Sequence, residues 1–309
     1  MAVISYIVAY IAIAVFVIAV VARFLMWNKM PMHLRWELYP VAHEPDRAHY
    51  GGSYLEDVDW WKKPREVSLI GELKVMIPEI LFLVALKEHN PKMWLRSFPF
   101  HFGIYLTGGA TFIVIVRGLL ALLFPGLIAG GFGTLLGWIC VTLAVPGLLL
   151  GIFGALGLIQ RRLTDPDLAD FTAPADLFNL FFFVVAFGVT LSHFIAVDRD
   201  LSRSMLFVEN LVSFNMAGMA DPSFWFTLTT VLFLGALVAY IPLTHMSHFV
   251  GKYFAYHSIR WNDDPNTPGS KFEPKIKKLL ENPVSWSAEH IKGDGKKTWA
   301  DVATERPDK

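Results

Sequence analysis

Apolar residues are concentrated in five long runs, and the segments between these runs carry most of the charged residues. A bilayer core of about 30 Å is crossed by roughly 20 helical residues, and each run is long enough. The pattern therefore predicts an all-α integral membrane protein with five transmembrane helices. The predicted spans are residues 3–27, 98–124, 133–159, 177–197 and 224–249.

Lysine and arginine are distributed unequally between the polar segments. Residues 29–97 carry ten of them and the tail from residue 250 carries eleven, whereas residues 125–132 carry none. Because cytoplasmic loops are enriched in these residues, we expect an outside N-terminus and a cytoplasmic C-terminus. The predicted organisation is a first transmembrane helix (1–28), a cytoplasmic loop with an interfacial helix (29–97), a four-helix membrane region (98–249) and a cytoplasmic tail (250–309).

Composition supports the membrane assignment and restricts the chemistry. Hydrophobic residues make up 54% of the chain, against about 45 to 50% in ordinary soluble domains. The formal net charge is zero, so overall charge gives no indication of a nucleic-acid partner. The single cysteine, Cys140, cannot supply the set of thiolates that an iron–sulfur cluster needs. Any such cluster must therefore belong to a partner protein.

Four of the ten histidines lie in or at the ends of the apolar runs, where ionisable groups are rare and usually functional. His101 begins the second predicted span and His248 ends the fifth, so both imidazoles should lie at the same depth. Two such imidazoles on antiparallel helices suit the axial ligation of a haem iron. His248 also lies near a helix end, where a histidine is stabilised by the helix dipole and can snorkel to the interface. His245, three residues earlier, is an alternative ligand.

Gly108 and Gly109, His193 and Arg117 are further candidates. The two glycines lie two turns after His101, where missing side chains would let a flat macrocycle approach the backbone. His193 lies near the outer end of the fourth span and fits an interfacial residue, a quinone partner or another haem ligand. Arg117 should lie near the outer surface, where it would snorkel, pair with a haem propionate or bind a quinone head group.

Short motifs resemble known cytochrome b subunits. Residues 100–104 (FHFGI), together with Pro242 six residues before His248, resemble the haem b gamma subunit of respiratory nitrate reductase. Other motifs resemble the cytochrome b subunits of sulfate-reducer transmembrane complexes and of membrane-bound heterodisulfide reductase. These motifs are residues 34–40 (LRWELYP), 51–54 (GGSY), 60–64 (WWKKP), 286–291 (WSAEHI) and 294–299 (DGKKTW).

The resemblance implies a haem b subunit of the cytoplasmic (inner) membrane, with menaquinone as substrate and a role in sulfate reduction. It also implies a cytoplasmic iron–sulfur partner of the heterodisulfide reductase type. Relatives with two haems have histidine where this sequence has Thr111 and Thr230. We therefore expect one haem, held by His101 and His248, while His193 leaves a second, differently ligated haem open.

Three functions are consistent with the sequence. The favoured one is electron transfer between the quinone pool and the cytoplasmic iron–sulfur partner. The second is a quinone-independent conduit that takes electrons from an outer multihaem cytochrome c. The third is a haem-free membrane anchor or small transporter, against which the scarcity of paired polar groups within the spans argues.

Overall fold

The computed structural model describes residues 2–30, 39–216, 224–288, 291 and 293–306. These residues form thirteen α-helices and no strand, with two isolated bridges between single residue pairs. The helices are α1 (Ala2–Asn28), α2 (Leu69–Phe82), α3 (Val84–His89), α4 (Pro91–Leu123), α5 (Pro125–Ala129), α6 (Gly131–Thr164), α7 (Pro166–Ala169), α8 (Pro174–Ala196), α9 (Ser202–Val212), α10 (Phe224–Tyr240), α11 (His248–Phe254), α12 (Glu273–Leu280) and α13 (Trp299–Thr304).

Within the described residues, five helices are long and apolar enough to cross a membrane, and they are α1, α4, α6, α8 and α10. The predicted number of spans and the all-α class are thereby confirmed. Helix α4 begins seven residues before its predicted start. Asn90 caps this extension by accepting a hydrogen bond from the Met93 N–H, and Pro91 occupies the first turn, where no N–H is required. The orientation of the termini stays a prediction.

The fifth span is shorter than its sequence pattern suggests. Helix α10 ends at Tyr240, and two 3-10 turns, Ile241–Leu243 and His245–Ser247, separate it from α11. The prediction of one helix over residues 224–249 is therefore corrected. Pro242 gives the physical reason, because it has no N–H to donate to the preceding turn. His248 begins a separate short helix instead of ending the fifth span.

The amphipathic stretch before the second span forms two helices, α2 and α3. Pro78 lies inside α2 and does not break it. The break comes at Leu83, whose φ of 51° lies in the left-handed region that non-glycine residues rarely adopt. Sequence reasoning therefore identified the helical stretch but not the position of its break.

The chain consists of two compact units. We call Met1–Ala19 with Ile77–Met246 the bundle unit, and Val20–Met76 with Ser247–Lys309 the polar unit. The three boundaries lie inside α1, inside α2 and within the turn His245–Ser247, so they do not coincide with the ends of the apolar runs. Hydropathy marks where a helix meets lipid, whereas the units reflect which side chains pack together.

Helices α4 and α6 of the bundle unit pack closely along their glycines. Gly103 lies against the backbone of Gly151, and Gly154 lies against the backbone of Phe100, so a Cβ at Gly103 or Gly154 would clash with main-chain atoms. Small residues at such contacts let membrane helices approach each other, which matters where lipid is as apolar as the helices. The buried residues of the adjoining core are Phe100, Leu148, Ala155, Phe183, Ala186, Phe187 and Leu237.

The polar unit combines an apolar cluster with buried polar side chains. Val41, Tyr256 and Trp261 form the buried part of the cluster. His43 and Asp263 are also buried, and they come from the same two stretches of sequence as the apolar residues. These stretches, near residues 41–44 and 256–263, form the centre of the unit.

Candidate functional site

The predicted haem ligand His101 lies in α4 and is half-buried. Its Nδ1 is 2.8 Å from the carbonyl oxygen of Ser97, one helical turn earlier. A carbonyl oxygen only accepts hydrogen bonds, so Nδ1 carries the proton in the tautomer that makes this contact, and the Ser97 hydroxyl oxygen, 3.2 Å from Nδ1, can then accept as well. The lone pair of the ring is then on Nε2, as ligation of a haem iron through that nitrogen requires.

Gly108 and Gly109 differ from the glycines that pack α4 against α6. Among the described residues, no atom lies within 4 Å of a Cβ built at Gly108, and one built at Gly109 reaches only Leu143 Cδ1, at 4.0 Å. Close helix packing therefore does not account for this pair of glycines. An open backbone surface two turns beyond His101 is compatible with the flat face of a macrocycle.

His245 and His248 belong to different units. In the bundle unit, His245 Nε2 lies 3.4 Å from the amide nitrogen of Asn179 and 4.0 Å from Asp176 Oδ1. His248 begins α11 in the polar unit and is exposed. Since His101 and His248 lie in different units, their ligation of one iron stays a prediction.

A cavity of ≈ 240 Å³ lies inside the bundle unit. All five spanning helices and α9 contribute to its wall, most of which is apolar. Its volume is somewhat below the range of about 300 to 1,000 Å³ that is usual for small-molecule pockets. The polar wall residues on which the site depends are Ser5, Thr107, His193, Arg203, Ser204 and Thr227.

The imidazole of His193 is the buried basic group of this cavity. The residue is 6% exposed, and its Nε2 lies 3.5 Å from the hydroxyl oxygen of Thr227. Thr111 and Thr230 line the same cavity, and each donates its hydroxyl to a carbonyl one turn earlier in its own helix. The structure thus brings His193 together with Thr111 and Thr230, the two positions at which the sequence resemblance implies histidine in relatives with two haems. Sequence reasoning had named these three residues without placing them together.

Two buried hydroxyl groups on the wall have no hydrogen-bond partner among the described residues. They are Ser5 Oγ and Thr107 Oγ1. A buried polar group without a partner costs about 1 to 3 kcal/mol, so this wall is suited to a ligand that carries hydrogen-bonding atoms. Sequence reasoning missed both residues, because a hydroxyl in an apolar run usually bonds to its own helix, as that of Thr111 does.

The start of α9 is fixed against the cavity by a buried carboxylate. Asp198 is 1% exposed and accepts hydrogen bonds from the backbone N–H groups of Arg203 and Ser204, both at 2.8 Å. The Ser204 hydroxyl also donates to it, at 2.6 Å. Asp198 therefore acts as a cap that positions two wall residues. An acidic residue shortly before Ser202 is a helix-start signal that sequence reasoning left unused.

Arg117, which the sequence paired with His193 as a quinone candidate, lies elsewhere. It forms an ion pair with Glu209, with Nη1 3.5 Å from Oε2. It lines a second cavity together with Arg199 and Asp200, and it is absent from the wall of the cavity around His193. The structure therefore does not bring the two candidates into one site.

Comparison with known proteins gives a distant relative over most of the chain. A curated protein of Archaeoglobus profundus, described as an Hdr-like menaquinol oxidoreductase cytochrome b-like subunit, is 21% identical over 293 residues. The match covers 86% of this chain and 84% of the relative. The chain is related to Hdr-like cytochrome b subunits. This confirms the resemblance seen in the motifs and, with the five spans, indicates a multi-pass membrane protein. No family model and no solved structure matches the chain.

Some of the motifs fall outside the described residues. These are residues 34–38 of the first motif and residues 289 and 290 of the tail motif. The motif at residues 51–54 is described, and it belongs to the interior of the polar unit. There Ser53 donates a hydrogen bond to Glu44 Oε1 at 3.1 Å, and the Tyr54 hydroxyl donates to the Asp263 carbonyl oxygen at 2.8 Å.

Proposed function

We propose that the chain is the haem b subunit of a respiratory complex in which electrons pass between the quinone pool and an iron–sulfur partner. The observation that carries the proposal is the buried imidazole of His193 in an apolar cavity with hydrogen-bonding hydroxyl groups. The relative supports it, since that protein is described as a menaquinol oxidoreductase subunit.

The chemistry of a quinone suits this cavity. Its ring system is apolar, like most of the wall, and its oxygen atoms need partners that donate to the quinone and accept from the quinol. The hydroxyls of Ser5 and Thr107 rotate to do either, and an imidazole does so by changing its protonation. Oxidation of a quinol releases two protons and two electrons. In this proposal His193, with Thr227 next to its Nε2, would accept one proton and bulk water the other, and the two electrons would leave one at a time to the clusters of the partner.

His101 and His248 would hold the haem, which supplies one-electron transfer when bound. Two observations support the fit, namely the 2.8 Å contact between His101 Nδ1 and the Ser97 carbonyl oxygen and the open backbone at Gly108. The carbonyl oxygen favours the tautomer with the proton on Nδ1 and holds the ring in one orientation. Because Thr111 and Thr230 stand where a second histidine pair would be, we propose a single haem.

The distribution of charges supports the proposed orientation, and the single cysteine is consistent with the partner that the resemblance implies. With its N-terminus outside, the chain would present its lysine- and arginine-rich segments to the cytoplasm. An iron–sulfur protein of the heterodisulfide reductase type would dock there and exchange electrons with the haem. The single cysteine of this chain is consistent with clusters that are carried by the partner.

A reduced-minus-oxidised optical spectrum of the purified full-length protein tests the haem. We expect His101→Ala and His248→Ala each to abolish the b-type band, and His193→Ala to keep it. His89→Ala is a matched control, because His89 is exposed and its Nδ1 also contacts the carbonyl of the residue four positions earlier, at 2.9 Å. A band that survives in either ligand variant would contradict the assignment.

Reduction of the haem by a soluble naphthoquinol tests the quinone site. A positioned proton acceptor contributes about 10²- to 10⁴-fold to a rate, so His193→Ala should slow haem reduction by roughly 10²-fold with an unchanged spectrum. Thr227→Val should also slow it, whereas Thr229→Val, on the same helix but outside this cavity, should not. A wild-type haem that the naphthoquinol fails to reduce would favour the conduit from an outer cytochrome c.

A further inference from the structure

Three metal-ligating side chains meet in the interior of the polar unit. They are His43, Glu44 and Asp263, and one nitrogen or oxygen atom of each lies within 4.8 Å of the others. Their exposed fractions are 5%, 0% and 2%. Neither the haem nor the quinone proposal uses any of them. His43 and Asp263 are 220 positions apart in the sequence, so the fold alone brings them together.

The imidazole of His43 lies between two carboxylates. Its Nε2 is 2.7 Å from Asp263 Oδ2, and its Nδ1 is 3.4 Å from Glu72 Oε1. Nδ1 is buried and makes no hydrogen bond within the described part of the chain. When a histidine binds a metal ion through one ring nitrogen, its other nitrogen usually faces a carboxylate. Here Nε2 is on the side of Asp263 and Nδ1 faces Glu72, so Glu72 would be that second carboxylate.

The two carboxylates of the cluster are each held by another side chain. The Ser53 hydroxyl donates to Glu44 Oε1 at 3.1 Å. Arg65 donates to Asp263 Oδ1 at 2.9 Å, while Asp263 Oδ2 faces the imidazole. Hydrogen bonds of this kind fix the orientation of carboxylate ligands in metal sites. The group therefore has the organisation of a binding site around its three central residues.

We propose that His43, Glu44 and Asp263 bind a divalent transition-metal ion. One imidazole and two carboxylates, with no thiolate, suit Zn²⁺ or Mn²⁺ and disfavour ions that prefer sulfur, such as Cu⁺. The ion would take the place of the proton between His43 and Asp263. The ion would cross-link the segment around residue 43 to the segment around residue 263, and so stabilise the interior of the polar unit.

The rival explanation is an ion-pair network that needs no metal. Arg65 pairs with both Asp263 and Asp264, and Lys271 pairs with Asp264 at 2.9 Å. Such a network would hold the same two segments together by charge pairing alone. The two explanations differ in whether the folded protein binds a metal ion with one-to-one stoichiometry.

Metal analysis of the purified full-length protein distinguishes them. We expect about one Zn²⁺ or Mn²⁺ per chain by inductively coupled plasma mass spectrometry, counted separately from iron. After chelator treatment, equilibrium dialysis against Zn²⁺ and against Mn²⁺ should show one saturable site. If the isolated protein holds no stoichiometric metal and neither ion binds saturably, the proposal is overturned and the ion-pair network remains.

Shape-conserving variants locate the site. Glu44→Gln and Asp263→Asn should each weaken metal binding at least tenfold, and Glu72→Gln should weaken it by about 10- to 100-fold through His43. Asp264→Asn is the matched control, since Asp264 follows Asp263 in the sequence and also pairs with Arg65. Metal binding by this variant should stay within twofold of that of the wild type. An equal loss in the control would mean that general negative charge attracts the ion, which contradicts the assigned ligands.

Discussion

The bundle unit and the polar unit are stabilised by different interactions. In the bundle unit, α4 and α6 approach through Gly103 and Gly151, and side-chain size decides what fits. In the polar unit, ion pairs join His43, Arg65 and Asp263, and the pairing of charges decides which substitutions are tolerated. Apolar helices gain little by leaving lipid and depend on close contact, whereas a buried charge is tolerated only with a partner. The two units should therefore respond to different substitutions.

A large residue at a packing glycine should have the greatest effect. Gly103→Leu places a side chain against the backbone of Gly151, which cannot move aside as a side chain can. We expect destabilisation at or above the about 1 to 3 kcal/mol that is usual for overpacking, seen as loss of monodisperse protein in size-exclusion chromatography. Gly188→Leu, at a position with no atom within 4 Å of a built Cβ, is the control and should remain folded.

Removal of one hydroxyl should reveal the dependence of the polar unit on hydrogen bonds. Tyr54 is 2% exposed, and its hydroxyl donates to the Asp263 carbonyl. Tyr54→Phe should lower the free energy of unfolding of the polar unit by about 1 to 3 kcal/mol, measured as faster hydrogen exchange of its amides. Tyr50→Phe, the same change at an exposed position of the same segment, should have almost no effect. Equal effects would show that burial does not set the strength of these hydrogen bonds.

A carboxylate in the bundle unit offers a test of intermediate size. Asp198→Ala removes the acceptor for the N–H groups of Arg203 and Ser204. Loss of a helix cap costs about 0.5 to 2 kcal/mol, so these two amides should exchange faster with solvent while the spanning helices stay protected. Naphthoquinol binding should weaken too, because both residues line the cavity. Unchanged exchange at both amides would contradict a capping role.

The smallest effect is expected from a half-buried ion pair of the polar unit, between Arg47 and Asp57. Hydrogen bonds from Arg47 and then Lys63 lower the pKa of Asp57 below its ordinary value. The ionised carboxylate is therefore favoured in the folded state, and its stabilisation is present above the ordinary pKa and is lost as pH falls through the lowered pKa. Asp57→Asn should remove this part of the acid sensitivity in thermal unfolding between about pH 4 and lower values. An unchanged pH dependence would show that the pair contributes nothing.

The sequence predicted the membrane helices well because their signal is local. A single apolar run has one stable conformation across a bilayer, the helix, because a helix satisfies its own backbone hydrogen bonds. Five such runs therefore predicted five spans. The limits of this signal appear at Pro242, where hydropathy continues but the helix stops. They appear again at Ser5 and Thr107, because whether their hydroxyls find a partner depends on other helices, and none is found in the part of the chain that the structure describes.

The sequence alone thus determined the all-α class and the number of spans, and it named the histidines of the proposed haem site. Only the tertiary structure placed His193 beside Thr111 and Thr230, separated Arg117 from that cavity, and brought His43 to Asp263. The physical reason is the separation along the sequence of the residues that interact. Helix formation depends on residues within a few turns of one another, whereas a binding site depends on which distant side chains pack together, and periodicity does not encode that choice.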